Sequence, residues 1–187
     1  MSHSAYSQHK EYQGSDNKYL AIEKPEEDVP ALLLITGNAA ERPFSIAAYD
    51  ENGNRTGTLV NTSDSYSGIV ALDLPTGRNS RYLELEVSGP WLIRVHPIGS
   101  APKISPGEEF SDAGDNVLWV DGDASRATIH ADNRSSENFT IRAFDEFGNY
   151  NGLLVHTTSS YSGEEMIPDH TLLLVVKAMG SWSITLE

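Results

Sequence analysis

The side chains best equipped to do chemistry in this chain are carboxylates. Glu108, Glu109, Asp112 and Asp115, followed by Asp121 and Asp123, put six acidic groups into sixteen residues. Held close together they would repel one another, and Ca²⁺, which takes about 6–8 oxygen ligands, would relieve that repulsion. A calcium site on the first four is therefore one expectation. It would belong to the second half of the chain, because the first half keeps only Glu11 and Asp16 at matching places. The other reading is a solvated, charged joint that keeps sheet edges from pairing, and composition alone favours it. Asp50-Glu51-Asn52-Gly53-Asn54 and Asp145-Glu146-Phe147-Gly148-Asn149 also bring carboxylates and an amide together. Both lack the D-x-[DN]-x-[DN]-G loop with its distal Glu, so they read as turns. There the Asp accepts backbone N–H bonds while the glycine supplies a positive φ.

No reaction is visible. His3, His9, His96, His130, His156 and His170 show no H-E-x-x-H spacing, and there is no G-x-S-x-G elbow or phosphate-binding Gly-Lys loop. A hydrolase would need a Ser/His/Asp triad assembled across strands, which only geometry reveals. The chain has no cysteine, which removes disulfides, thiolate metal sites and a Cys nucleophile. A net charge of −14 without a basic run makes nucleic acid and anionic membrane surfaces unfavourable partners. The longest apolar run, 29–35, is interrupted by Pro30 and is far short of the roughly 20 residues of a spanning helix. The first dozen residues carry no apolar export signal, so the expectation is a cytoplasmic protein or a mature fragment.

The elements that position these groups come from an internal repeat. Residues 44–68 lie over 139–163 without a gap, with 15 identities in 25 positions. The match resumes where Leu83, Leu85, Val87, Gly89, Trp91, Ile93 and Val95 face Leu174, Val176, Ala178, Gly180, Trp182, Ile184 and Leu186. Upstream, Glu11-Tyr12 then Asp16-Asn17 matches Glu109-Phe110 then Asp115-Asn116, giving units of about 90 residues. Apolar residues alternate with period two, and turn signals fall every 8–12 residues or so. In the second unit strands are predicted near 116–121, 125–130, 138–144, 152–156, 171–178 and 182–186, with a further short one near 164–167. The fold class is all-β: two tandem antiparallel β-sandwiches, jelly-roll or immunoglobulin-like. The expected boundaries are a polar tail at 1–13, a first sandwich at 14–98, a Pro/Gly/acidic linker at 99–109 and a second sandwich at 110–187.

Parity then sorts the aromatic residues. Trp91 and Trp182 share it with inward Ile and Val neighbours and are expected in the core. Tyr66 and Tyr161, each in Ser-Tyr-Ser-Gly, read as strand-end rings whose hydroxyls cap a backbone group. Tyr49 and Phe144 fall on the opposite parity and are expected to face solvent or a neighbouring unit. Phe147 and Tyr150 stand at a hairpin tip where the first unit has Asn52 and Arg55, and Trp119 is likewise confined to the second unit. Residues that both units share serve mostly the fold, so ligand residues are expected where they differ. Phe147 and Tyr150 are thus the leading candidates for an exposed aromatic patch, with Tyr49 and Phe144 next.

Residues 114–149, with a Gly-Asp start, a long strand pair ending in D-x-x-G-N and a last strand opening at Gly-x-aromatic, resemble the bacterial pre-peptidase C-terminal type of β-sandwich. This chain carries Trp91 and Trp182 where that family usually has Tyr, and no peptidase is attached. The resemblance implies an exported accessory module, extracellular or on the cell surface, sometimes assisted by calcium. The functional expectation is a non-catalytic binding or surface-interaction module for a carbohydrate or protein ligand. A structural subunit of a homo-oligomeric assembly comes second, and a hydrolase third.

Overall fold

The computed structural model describes residues 9–38, 42–132 and 138–187. The chain is an all-β protein that divides into two compact units, the main boundary lying between Ser100 and Ala101. The first unit contains β1 (Lys10–Gly14), β2 (Lys18–Ala21), β3 (Ala31–Gly37), β4 (Phe44–Asp50), β5 (Arg55–Thr62), β6 (Tyr66–Leu72), β7 (Ser80–Glu86) and β8 (Trp91–Pro97). They form two four-stranded sheets, in the orders β1-β8-β3-β6 and β2-β7-β4-β5. Each sheet thus draws strands from both ends of the unit, the double Greek key of a jelly roll. Alternation fixes the rest. Phe44, Ile46, Leu83, Leu85, Ile93 and Val95 are at most 1% exposed, on strands whose intervening residues point the other way.

The second unit repeats this wiring. Its strands are β9 (Lys103–Ile104), β10 (Glu109–Ala113), β11 (Asn116–Val120), β12 (Arg126–Asp132), β13 (Phe139–Asp145), β14 (Tyr150–Thr157), β15 (Tyr161–Met166), β16 (Thr171–Lys177) and β17 (Ser181–Leu186). The sheets run β10-β17-β12-β15 and β14-β13-β16-β11-β9. Among the described residues only β9 has no counterpart; it adds to β11 in parallel. Strand registers match the units residue by residue: Tyr12 opposes Ile93 as Phe110 opposes Ile184, and Ile46 opposes Leu85 as Ile141 opposes Val176.

Several expected boundaries move. β1 begins inside the stretch read as a polar tail, because the alternating Glu11-Tyr12-Gln13 completes the edge of a sheet. The stretch read as a linker contains β9 and the first residue of β10, since Trp119 and Asp121 donate backbone N–H bonds to Pro102 and Ile104. Pairing also corrects the alignment by one residue, placing Asn17 on Asp115. The Asn17 Oδ1 accepts the Val87 N–H at 2.7 Å, and the Asp115 Oδ1 accepts that of Ala178 at 3.0 Å.

Candidate functional site

In the first unit the outward positions of the β2-β7-β4-β5 sheet collect three tyrosines. Tyr82 lies directly opposite Tyr49 on the neighbouring strand, and Tyr19 opposite Glu84. Inward Leu83 and Leu85 anchor β7, so parity turns Tyr82 and Glu84 away from the core. The Tyr19 and Tyr82 rings stack with centroids 5.1 Å apart and planes 18° from parallel; Tyr49 tilts against Tyr19 at 6.0 Å and 56°. The Tyr49 hydroxyl donates to Glu84 Oε2 at 2.5 Å, which holds its pKa above the ordinary phenol value. Tyr19 remains 55% exposed. Beside them Arg55, opposite Tyr49 on β5, donates to the Thr58 hydroxyl at 2.9 Å. The result is a flat aromatic platform ringed by a carboxylate, a guanidinium and hydroxyls. Tyr49 was expected to face outward. Tyr19 and Tyr82 were not singled out, although outward parity in the first unit only would have found both.

The corresponding face of the second unit is built differently. Register sets Val117, Leu173 and Phe144 where the first unit has Tyr19, Tyr82 and Tyr49. Phe144, expected to face solvent or a neighbouring unit, is 5% exposed, which removes the first of these. Its parity does point it away from the sandwich core, but Val117, Leu173 and Thr140 on the same face are buried too. Alternation tells the core face from the other one and says nothing about whether the other is wet. Phe147 and Tyr150 are exposed as expected, at 68% and 53%. The Tyr150 ring meets Phe144 edge-on at 6.0 Å, and Leu153 continues the exposed strip along β14. Trp119 is half-buried on β11, where the first unit has Ala21.

The carboxylates separate into individual tasks. Glu108 accepts the Ser105 N–H at 3.1 Å and Glu109 the Ser111 hydroxyl at 3.3 Å. Asp112 accepts the Ala113 N–H at 2.8 Å and the Asn116 amide at 2.5 Å, while Asp115 is buried and lies 3.5 Å from the Lys177 ammonium. Among the described residues no group of three or more His, Asp or Glu side chains is gathered to hold a metal ion. The hairpin aspartates behave as turns. Asp50 Oδ1 accepts the Asn52 and Asn54 N–H groups at 2.9 and 2.8 Å, and Asp145 Oδ1 those of Phe147 and Asn149 at the same distances. Gly53 and Gly148 supply φ of +80° and +74°. Bonds from Asn54, its side chain first, hold the Asp50 carboxyl below its ordinary pKa. At Asp145 desolvation would raise it but is outweighed by bonds from Asn149, Phe147 and Gly148.

The strand-end tyrosines divide. Tyr66 is buried against the Phe44 ring at 6.2 Å. Tyr161 donates its hydroxyl to the Glu165 carboxylate, two residues along the same side of β15, and not to a backbone group as expected. That bond, with desolvation second, pushes the phenol up to about 12. Among the histidines, His130 Nδ1 lies 3.0 Å from the Ser162 hydroxyl on the adjacent strand, and His156 Nδ1 3.2 Å from that of Thr140. Each is a direct cross-strand neighbour, the ordinary geometry of a sheet face.

No family model matches the chain, and no curated protein matches it. Solved structures similar to it include the PBSX exported protein XepA, at 10% identity over 98% of this chain and 87% of that chain, with a TM-score of 0.32. Sulfolobus Turreted Icosahedral Virus supplies another, at 11% identity over 98% of this chain and 60% of that chain, TM-score 0.33. A Parabacteroides distasonis protein described as "a putative secreted protein" matches at 10% identity over 98% of this chain and 90% of that chain, TM-score 0.24. At these scores the likeness adds nothing to the topology already described.

Proposed function

We propose that this protein is a non-catalytic binding module that takes a carbohydrate on the tyrosine platform of its first unit. The observation that carries this reading is the stacked Tyr19–Tyr82 pair, with Tyr49 beside it, on one outward sheet face. An aromatic face carries partial negative charge and accepts the polarised C–H groups of a sugar ring. Glu84 and Arg55 at the rim supply an acceptor and a donor for its hydroxyls. A rigid sheet holds these groups at low entropic cost, which suits binding without chemistry. The sequence resemblance of 114–149 to pre-peptidase C-terminal sandwiches, which no family model matches, would imply an exported accessory module and a location outside the cell. Among the described residues no helix is long and apolar enough to cross a membrane.

A glycan array followed by titration of the best oligosaccharide tests the proposal. Tyr19→Ala with Tyr82→Ala should weaken binding by about tenfold or more, as loss of a central aromatic contact does elsewhere. Binding unchanged in that variant would remove the platform from consideration. A second reading, a subunit that assembles with copies of itself, is favoured by the exposed strip that runs from Phe147 at the hairpin tip to Tyr150 and Leu153 on the edge strand β14. Concentration-dependent association that Phe147→Ala with Tyr150→Ala abolishes would support it.

A further inference from the structure

A cleft of about 460 Å³ opens on the second unit, lined by Ser111, Asp112, His130, Tyr161, Ser181 and Ser183 among others. Its size falls within the range of about 300–1,000 Å³ typical of small-molecule sites. Register shows what is particular about its lining. His130 opposes Ser183 as Thr36 opposes Leu92. Ser181 stands where the first unit has Pro90, one residue before the tryptophan in each case. The first unit therefore forms the same strands with Thr, Pro and Leu at outward positions where the second has His and two Ser. The fold requires none of these polar groups, yet the second unit gathers them around one concavity.

We infer that this cleft is a binding site for a small neutral polyol, of the size of one or two sugar rings, separate from the tyrosine platform. Serine hydroxyls each donate one hydrogen bond and accept two, so they adapt to a ligand whose own hydroxyls do the same. Asp132 opposes Ser181 on the same outward face and adds a carboxylate to the lining. Ser162 holds His130 by Nδ1 at 3.0 Å, and Nε2 has no partner among the described residues, leaving it for the ligand. Carboxylates in the lining, on a chain of net charge −14, exclude an anionic ligand.

The first unit also supplies the control. His130→Thr with Ser183→Leu installs residues that this strand geometry already accommodates. Saturation-transfer NMR of the full chain with the methyl glycosides of glucose, galactose, mannose and N-acetylglucosamine should show at least one that binds in the millimolar range. Its affinity should fall by about tenfold or more in His130→Thr with Ser183→Leu. It should be retained in Tyr19→Ala with Tyr82→Ala. In the unmodified protein the His130 imidazole resonances should shift on titration with that glycoside, which requires no variant to fold. No bound glycoside, or static His130 resonances with affinity unchanged by the double substitution, overturns the inference. Loss of glycoside binding only in the tyrosine variant overturns it while leaving the platform standing.

Discussion

The same outward sheet face is aqueous in one unit and dry in the other. Tyr19, Tyr49 and Tyr82 form a platform that solvent reaches, whereas Val117, Phe144 and Leu173, at the same register positions, are buried. Inward positions barely change: Phe44 and Phe139, Ile46 and Ile141, Leu83 and Leu174 are all at most 1% exposed. Duplication has preserved what the sandwich needs inside and released what lies outside, so function is to be sought on the faces where the units disagree. The ends of the sandwiches disagree as well. In the first unit the longer loops 22–30 and 73–79 are tied by Lys24, whose ammonium lies 2.6 Å from Asp73 with both side chains at most 2% exposed. Asp73 also accepts the Ser80 N–H at 3.0 Å and its hydroxyl at 2.6 Å. The matching Thr171 in the second unit donates its hydroxyl to the Pro168 carbonyl instead, at 2.6 Å.

That contrast gives the largest expected effect. Lys24→Met leaves the Asp73 carboxylate buried without its counter-charge, and such losses cost about 3–5 kcal/mol. Lys24→Met with Asp73→Asn removes both charges, keeps an acceptor for Ser80 and suits the positive φ of 65° at this position. It should recover most of the loss. Denaturant unfolding of the three proteins checks this; equal destabilisation by the single and double substitutions would show that the ion pair is not what the first unit depends on.

The tryptophans should behave alike where the loops do not. Trp91 and Trp182 are each 3% exposed, and each donates its Nε1–H to a backbone carbonyl, of Asp16 at 3.2 Å and of Gly114 at 2.9 Å. Replacing either by Ala should cost about 3–5 kcal/mol in its own unit. Calorimetry that resolves two transitions would show each variant lowering a different one. A cost under about 1 kcal/mol at one of them would mean that the repeat does not extend to its energetics.

Both tryptophans were legible because period-two alternation puts a residue on the core face whatever its strand partners are. The hairpin aspartates were legible for a related reason: the turn chemistry of Asp50 and Gly53 is local and needs no knowledge of the rest. The jelly-roll order was not, since β1 pairs with β8 across the whole unit and nothing in either strand names the other. For Phe144 parity gave the face but could not choose between solvent and burial, because its surroundings, Val117 and Leu173, come from distant strands. Outward parity confined to the first unit marks Tyr19 and Tyr82 singly, but they become a platform only once β2 and β7 lie side by side. The four acidic residues of the joint were left between a calcium cluster and a solvated, charged joint, with the second favoured, because spacing does not show the separate partner that each has found.

A smaller effect should appear in acid. The pKa values of Asp50 and Asp145 are both lowered in the folded chain, so each contributes stability that is fully present above the unfolded carboxylate value. It is lost as pH falls through the lower, native values, below about pH 4. Thermal melts at successive pH values should therefore show the wild type losing part of its advantage over Asp50→Asn and Asp145→Asn in that window, by similar amounts for the two hairpins. A gap that stays constant down to strong acid would mean that the turns do not depend on the ionised form.

The smallest expected effect is that of calcium. A cation that binds the native state raises the melting temperature by mass action, and a site built from Glu108, Glu109, Asp112 and Asp115 would do so at millimolar Ca²⁺ more than at equal Mg²⁺, which dehydrates reluctantly. Those carboxylates are instead engaged with Ser105, Ser111, Ala113, Asn116 and Ala178, and Asp115 already lies 3.5 Å from an ammonium. Gathering them around one ion would break backbone bonds that close the start of β10 and tie β11 to the end of β16. The expected result is a small rise common to both cations, from screening of a chain at −14, and the same rise in Glu109→Ala with Asp115→Asn. A shift specific to Ca²⁺ and absent from that variant would reverse this, giving the second unit a metal-dependent joint that the first lacks.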